Sequence, residues 1–320
     1  SNGHAQTLWR KFAPVPSVTH RRQRVELADG DFIDLDWSQP SVPSLPSVPD
    51  SPNNGMIILL LHGLCGCSQS SYIQSLQHRL GEEGHTSVAM NFRGCSGETN
   101  RLAKAYHSGV TEDLGEIVQL LQTQHPESSF AAAGFSLGAN VLLKWLGEAG
   151  EHSSLQRAVA VSTPFDLTLC SQAMLEGLSQ MYGRYFLRRL VADVENKKAV
   201  FEQSGNQEQL ELLRSCGDLT SISSLWDFDD RVTAPLHGFV NANDYYEQCS
   251  SIRYLADVAV PTALLQSLDD PIIPPNALPD ERHLSDALVL DFFDRGGHVG
   301  FASASGRYWL EDRIIRFIIA

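Results

Sequence analysis

The feature that most constrains this chain is Gly134-Phe135-Ser136-Leu137-Gly138, a Gly-x-Ser-x-Gly pentapeptide wedged between an apolar run and a helix-patterned stretch. The pattern alone recurs by chance in roughly one chain of this length in ten, given ordinary glycine and serine usage. Its setting carries the weight. Residues 130–134 read as a buried strand and residues 137–148 as a helix, so the serine falls in a strand–turn–helix elbow. A turn that sharp needs flanking residues without side chains, and glycine supplies both. The competing reading is a structural strand–helix turn with an incidental serine.

The surrounding pattern predicts an α/β architecture. Residues 22–38 alternate apolar and polar around Asp29-Gly30, the signature of a hairpin. Residues 40–54 carry prolines at 40, 43, 46, 49 and 52 and predict an exposed polyproline-like linker. Strands are then expected at 56–61, 87–91, 130–134 and 158–161, with helices at 69–83, 111–124 and 137–148 between them. Thr111 is expected to cap its helix, with Glu112 and Asp113 in the first turn. Alternation stops at Thr163-Pro164. Over the next ninety or so residues apolar side chains recur at helical spacing, from Met174, Leu178 and Met181 to Leu190 and Val191. Strands resume at 262–268 and 287–293, and an amphipathic helix closes the chain at 308–319. The expectation is a mostly parallel central sheet with helices on both faces: a core of residues 1–165 and 258–320, and a helical lid of residues 166–257.

A serine hydroxyl becomes nucleophilic only when a base takes its proton and a third group orients that base. In a strand-ordered elbow fold the partners follow as acid and then histidine, each after a strand. Beyond Ser136 the histidines are His152, His237, His283 and His298. His298, in Gly296-Gly297-His298-Val299-Gly300 just after the strand at 287–293, is the candidate base. Asp269 and Asp270 both follow the strand at 262–268, and either could reach the imidazole; Asp270 is preferred, and its bland reading is a turn aspartate before Pro271. Two backbone N–H groups are needed to hold an oxyanion. Leu137 N–H follows the nucleophile, and Leu64 N–H, in His62-Gly63-Leu64, is assigned as the second. No cofactor and no metal are expected. Cys65 and Cys67 beside His62 and His85 invite a zinc reading, but two ligands one residue apart in a tight loop fit tetrahedral geometry poorly.

The bulk properties narrow the partners. A net charge of −14 over 320 residues argues against nucleic acid, where binding depends on neutralising phosphates with Lys and Arg. The longest apolar run, residues 56–61, is far below the ~20 residues a membrane helix needs. Six cysteines without a CxxC pair, and no secretory leader at Ser1-Asn2-Gly3-His4, lead to an expected cytoplasmic protein with reduced thiols. Arg184, Arg188 and Arg189 could meet an anionic head group or membrane surface, the alternative being a solvated helix face. The stretch 174–190 could receive an acyl chain or serve as a packing stripe.

Several segments resemble the YheT-like branch of the α/β hydrolases, whose relatives include lipid esterases and alcohol acyltransferases. They are Gly3-His4-Ala5-Gln6-Thr7-Leu8, His62-Gly63-Leu64-Cys65-Gly66, Asn91-Phe92-Arg93-Gly94-Cys95-Ser96-Gly97-Glu98, Tyr106-His107-Ser108-Gly109, Thr111-Glu112-Asp113, residues 134–140 and Gly297-His298-Val299-Gly300-Phe301. The resemblance implies an esterase-type triad, carried here onto Ser136, Asp270 and His298, with Asp270 the better match than Asp269. It assigns no job to Glu98, Tyr106 or His107, which either pin the loop after the second sheet strand or, for His107, line the pocket. The function expected is cleavage of a small-molecule carboxylic ester through an acyl-enzyme. Acyl transfer to an alcohol and non-catalytic ligand binding are the alternatives.

Overall fold

A computed structural model describes residues 2–12, 15–40, 55–301 and 308–320. The proline-spaced linker at 41–54 lies outside them. Eight strands form one sheet in the order β1-β2-β4-β3-β5-β6-β7-β8. They are β1 (Arg21–Glu26), β2 (Phe32–Ser38), β3 (Ile57–Leu61), β4 (Thr86–Asn91), β5 (Phe130–Phe135), β6 (Leu155–Val161), β7 (Thr262–Ser267) and β8 (Leu288–Phe293). β1 and β2 pair antiparallel, as do β2 and β4, and every later pairing is parallel. The first hairpin closes at Asp29-Gly30, where Gly30 has φ 86° and Leu27 N–H donates to Asp31 O. β2 buries Asp34 and Asp36, which is tolerable because Arg24 and Arg22, directly across the register, grip them through paired 2.8 Å bonds.

The helices are α1 (Gly3–Phe12), α2 (Ser71–Glu82), α3 (Thr111–Gln124), α4 (Leu137–Ala149), α5 (Leu167–Ala173), α6 (Gln180–Ser204), α7 (Gln207–Arg214), α8 (Leu225–Phe228), α9 (Ala234–His237), α10 (Ala242–Cys249) and α11 (Trp309–Ile319). The strand period of two divides the core between the two faces of the sheet. Ile57, Leu59 and Leu61 of β3 pack with Leu114, Ile117 and Leu121 of α3 and with α4. Ile58 and Leu60 pack the other way, with Leu76 of α2 and Ile314 of α11. Helices α5 to α10 all lie between β6 and β7, and they carry a separate small core around Leu219, Leu225 and Phe228.

Two local expectations change. Thr111 does not cap α3: Val110 holds that position with no side-chain bond, and Thr111 Oγ1 accepts from Lys144 Nζ at 3.3 Å. Within the 174–191 periodicity, Leu178 and Met181 face outward and do not pack. The N-terminal segment also forms helix α1, which the apolar pattern did not suggest.

At the elbow the backbones touch. A Cβ on Gly138 would lie 2.5 Å from His62 O and 2.6 Å from Leu61 O, both main-chain atoms that cannot swing away. Gly138→Ala is therefore expected to cost about 3 kcal/mol, read as a fall in the urea midpoint without a change in slope. A midpoint equal to wild type would show that α4 is free to shift off β3.

Candidate active site

Ser136 follows β5 and caps α4 at φ 52°, ψ −120°, a conformation that β-region or helical residues do not adopt. Its N–H donates to Val161 O at 2.8 Å, so neighbouring strand β6 holds the elbow. Ser136 Oγ is 2.8 Å from His298 Nε2, and His298 Nδ1 is 3.0 Å from Asp270 Oδ2. Asp270 follows β7 and His298 follows β8, so three strand ends converge on one hydrogen-bonded line. Both side chains are nearly shut off from solvent.

Asp270 is fixed by its own loop. Oδ1 accepts from Ile272 N–H at 2.8 Å and Ile273 N–H at 3.1 Å, while Oδ2 takes the imidazole and accepts from Gln266 Nε2 at 3.3 Å. An acceptor at Nδ1 puts the imidazole proton there and leaves Nε2 able to accept from the serine hydroxyl. Asp269, the alternative acid, points elsewhere: its Oδ1 accepts from Ser267 Oγ at 2.5 Å and Gly296 N–H at 2.7 Å. It buttresses the turn that carries His298.

That turn has two further supports absent from the sequence reading. His298 N–H donates to Thr7 Oγ1 on α1 at 2.8 Å, and Val299 N–H donates to Ser162 Oγ at 2.9 Å. Gly297 is required here, since a Cβ would sit 2.6 Å from Thr7 N and 2.7 Å from Gly3 O. The signal for α1 was the Gly3-to-Leu8 stretch itself; what it contacts could not be read from it. Among the described residues, the non-glycine positions with positive φ are Cys65, Ser136, Ser162 and Val299. All four lie in the loops around this line, where backbone strain concentrates in functional sites.

The loop after β3 comes up against the serine. A Cβ on Gly63 would be 3.1 Å from Ser136 Cβ, and Leu64 and Leu137 both line the cavity that Ser136 and His298 open onto. The loop is pinned by Tyr72, whose hydroxyl accepts from Gly63 N–H at 2.9 Å, and by Tyr106, whose hydroxyl accepts from Cys65 N–H at 2.8 Å. Tyr106 thus pins the Leu64 loop, and Glu98 pairs on the surface with Arg24 at 3.0 Å. His107 is buried, lines the cavity and meets His237 with the rings tilted at 57° and their centroids 4.5 Å apart. Burial holds both imidazoles neutral, His237 down to about 3.

His62 lies beneath. Its Nε2 accepts from Phe92 N–H at 3.2 Å, so Nδ1 carries the proton and donates to Gly63 O at 2.8 Å. Burial pulls its pKa down to about 4. The unfolded imidazole, near 6.5, takes up a proton before the folded one does. Stability contributed by the neutral ring is therefore intact above pH 6.5 and lost as pH falls towards 4, up to about 3 kcal/mol. Urea midpoints from pH 7 to pH 4.5 should fall less steeply for His62→Gln than for wild type; identical slopes would remove His62 from the acid transition.

The cavity encloses about 200 Å³. Its far wall comes from α5 to α10, with Leu167, Met174, Phe186, Leu190, Phe228 and Val232 supplying apolar surface. Two carboxyls, Asp193 and Asp229, interrupt it. Asp229 accepts from Thr233 Oγ1 and Tyr246 Oη, each at 2.7 Å, and burial pushes its pKa up to about 6. Nothing in the local sequence marked Asp229 as a wall residue. Among the described residues no cluster of three or more His, Cys, Asp or Glu side chains is arranged to hold a metal ion.

A family model described as the alpha/beta hydrolase fold matches residues 57–304. Escherichia coli YheT, which is named as an esterase, is 36% identical over 98% of this chain and 89% of its own length. Phospholipase ABHD3 of Mus musculus is 33% identical over 92% of this chain and 70% of its own. The solved structure of the Pyrococcus furiosus esterase Pf2001 has a TM-score of 0.58 at 15% identity, covering 96% of this chain and 97% of that one, a likeness of fold. With the family model spanning most of the sequence and YheT matching it almost end to end, this chain belongs to the α/β-hydrolase family, in its YheT-like branch.

Proposed function

We infer that the protein is a serine hydrolase that cleaves carboxylic esters through an acyl-enzyme on Ser136. The observation that carries this is the Ser136–His298–Asp270 line, with bonds of 2.8 and 3.0 Å, opening into a largely apolar cavity. The names of its relatives, an esterase and a phospholipase, support the same chemistry.

The steps follow from the geometry. Ser136 Oγ attacks the ester carbonyl carbon while His298 Nε2 takes its proton. Asp270 holds the tautomer and stabilises the imidazolium. Leu64 and Leu137 N–H groups receive the oxyanion, each worth ~3 kcal/mol. The carbon–oxygen bond to the alcohol breaks and the alcohol leaves with the proton from His298. Water, deprotonated by His298, then attacks the acyl carbon, releasing the acid and restoring the serine hydroxyl. Residues 166–257 form the lid that covers this site, and its apolar wall receives the acyl chain.

A fluorophosphonate probe tests the reading. Wild type should label at one serine, and Ser136→Ala should not label at all; equal labelling of the two would sink it. The largely apolar cavity favours a second reading, transfer of the acyl group to an alcohol in place of water. It predicts that ester product exceeds free acid when a primary alcohol is supplied, and a product ratio tracking the bulk water-to-alcohol ratio rejects it.

A further inference from the structure

Helix α6 has two apolar sides, and the cavity uses one of them. Phe186, Leu190 and Val194, four residues apart, face the cavity. Met181, on another face, is 50% exposed, and Leu178, just before the helix, is 72% exposed. Leu175 in the preceding turn is 47% exposed. Helix α1 adds to the same region. His4 stacks on Tyr182, in the first turn of α6, at 5.8 Å between ring centroids. Leu8, one turn beyond His4 on the same face, is 39% exposed, and Trp9 is 44% exposed. Five large apolar side chains from two neighbouring segments are thus left in water beside the lid.

The charged side chains next to them are mostly basic. Arg184 and Arg188 border a shallow groove that Leu178 and Met181 line, and Arg189 follows; all three are exposed. Among the described residues none of the three lies within salt-bridge distance of a carboxylate, although the chain has 38 acidic and 24 basic residues. Among the described residues Arg184 and Arg188 bond to neighbours on their own helix, Gln180 Oε1 and Arg184 O, and Arg189 bonds to Tyr185 Oη. Glu176 is the one acidic side chain in the 174–190 stretch, and it too is exposed.

We propose that this face, Leu8, Trp9, Leu175, Leu178 and Met181 with Arg184 and Arg188, docks the protein on an anionic lipid surface. Apolar side chains that would insert at the head-group boundary, ringed by arginines, satisfy both requirements of an interfacial site. A second copy of the chain suits the face poorly. A two-fold contact sets the same patch against itself and would bring the unpaired arginines of both copies together. The lipid also explains why the patch adjoins α1, whose Thr7 supports the His298 turn: an ester arriving from the bilayer meets the lid first. That last link rests on the ester-hydrolase reading; the docking does not.

Vesicle flotation of the whole chain tests the proposal. Wild type should float with vesicles of equal phosphatidylglycerol and phosphatidylcholine, and weakly with phosphatidylcholine alone. Leu178→Ser with Met181→Ser should lower partition about tenfold, and Arg184→Gln should lower it about fivefold on anionic vesicles only. Both variants should hydrolyse a short water-soluble ester like wild type, which shows that they fold. Absence of wild-type flotation, flotation of the variants equal to wild type, or a dimer in sedimentation velocity that the Leu178/Met181 variant disperses would each overturn it. Failure of flotation with soluble ester still turned over removes the docking surface and leaves the hydrolase reading standing. Flotation without any ester turnover does the reverse.

Discussion

Ser136→Ala is expected to lower kcat for a p-nitrophenyl ester by about 10⁴- to 10⁶-fold with Tm nearly unchanged. The size follows from what one oxygen does in the arrangement. It forms the bond to the acyl carbon and gives its proton to His298 Nε2, 2.8 Å away. No neighbouring hydroxyl can replace it, because the elbow backbone at φ 52° points this one side chain at the histidine. The fold should tolerate the change, since alanine meets the same backbone strain as serine. Glycine at 136 would relieve that strain, so Ser136→Gly is expected to be inactive and slightly more stable, by about 1 kcal/mol. His298→Ala should cost a similar factor, and the double variant little more than either single one, because the residues act as a unit. Residual activity within tenfold of wild type in Ser136→Ala would place the nucleophile elsewhere.

The parts of this site that were legible in the sequence share a physical character: each depends on local backbone geometry. Gly134 and Gly138 announce an elbow because close main-chain approach forbids side chains there, whatever lies far away in sequence. The continuous apolar run at 57–61 announces a strand covered on both faces. Among the histidines after Ser136, His298 stood out by its glycine-rich turn directly after a strand. What stayed hidden depends on contacts between distant segments. Thr7 accepts from His298 across 291 residues, and Ser162 accepts from Val299 across 137. A threonine on a short helix and a serine after a strand look the same whether or not a histidine turn is docked on them. Leu178 and Met181 failed differently. Their spacing fits a helix with an inward stripe, and periodicity alone cannot tell which of two apolar sides meets the protein.

The sharpest remaining discrimination is between Asp269 and Asp270, one residue apart and both following the strand at 262–268, with Asp270 the one preferred from sequence. Asp270→Asn is expected to lower kcat about 10⁴-fold, and Asp269→Asn less than about tenfold. The difference lies in what each oxygen accepts. Ile272 and Ile273 N–H groups both donate to Asp270 Oδ1, so the asparagine carbonyl must stay on that side. Its NH₂ then faces His298 Nδ1 and can only donate. The imidazole is forced to carry its proton on Nε2, where it can no longer accept from Ser136, and nucleophile and base are both disabled without any change of shape. At Asp269 the bonds run through Oδ1 to Ser267 Oγ and Gly296 N–H. An asparagine keeps an acceptor at that atom, so the turn carrying His298 holds. The kcat/KM profile against pH adds a second readout. Asp270→Asn should recover part of its rate at alkaline pH, where hydroxide replaces the missing base. A larger loss in Asp269→Asn than in Asp270→Asn would exchange the two assignments.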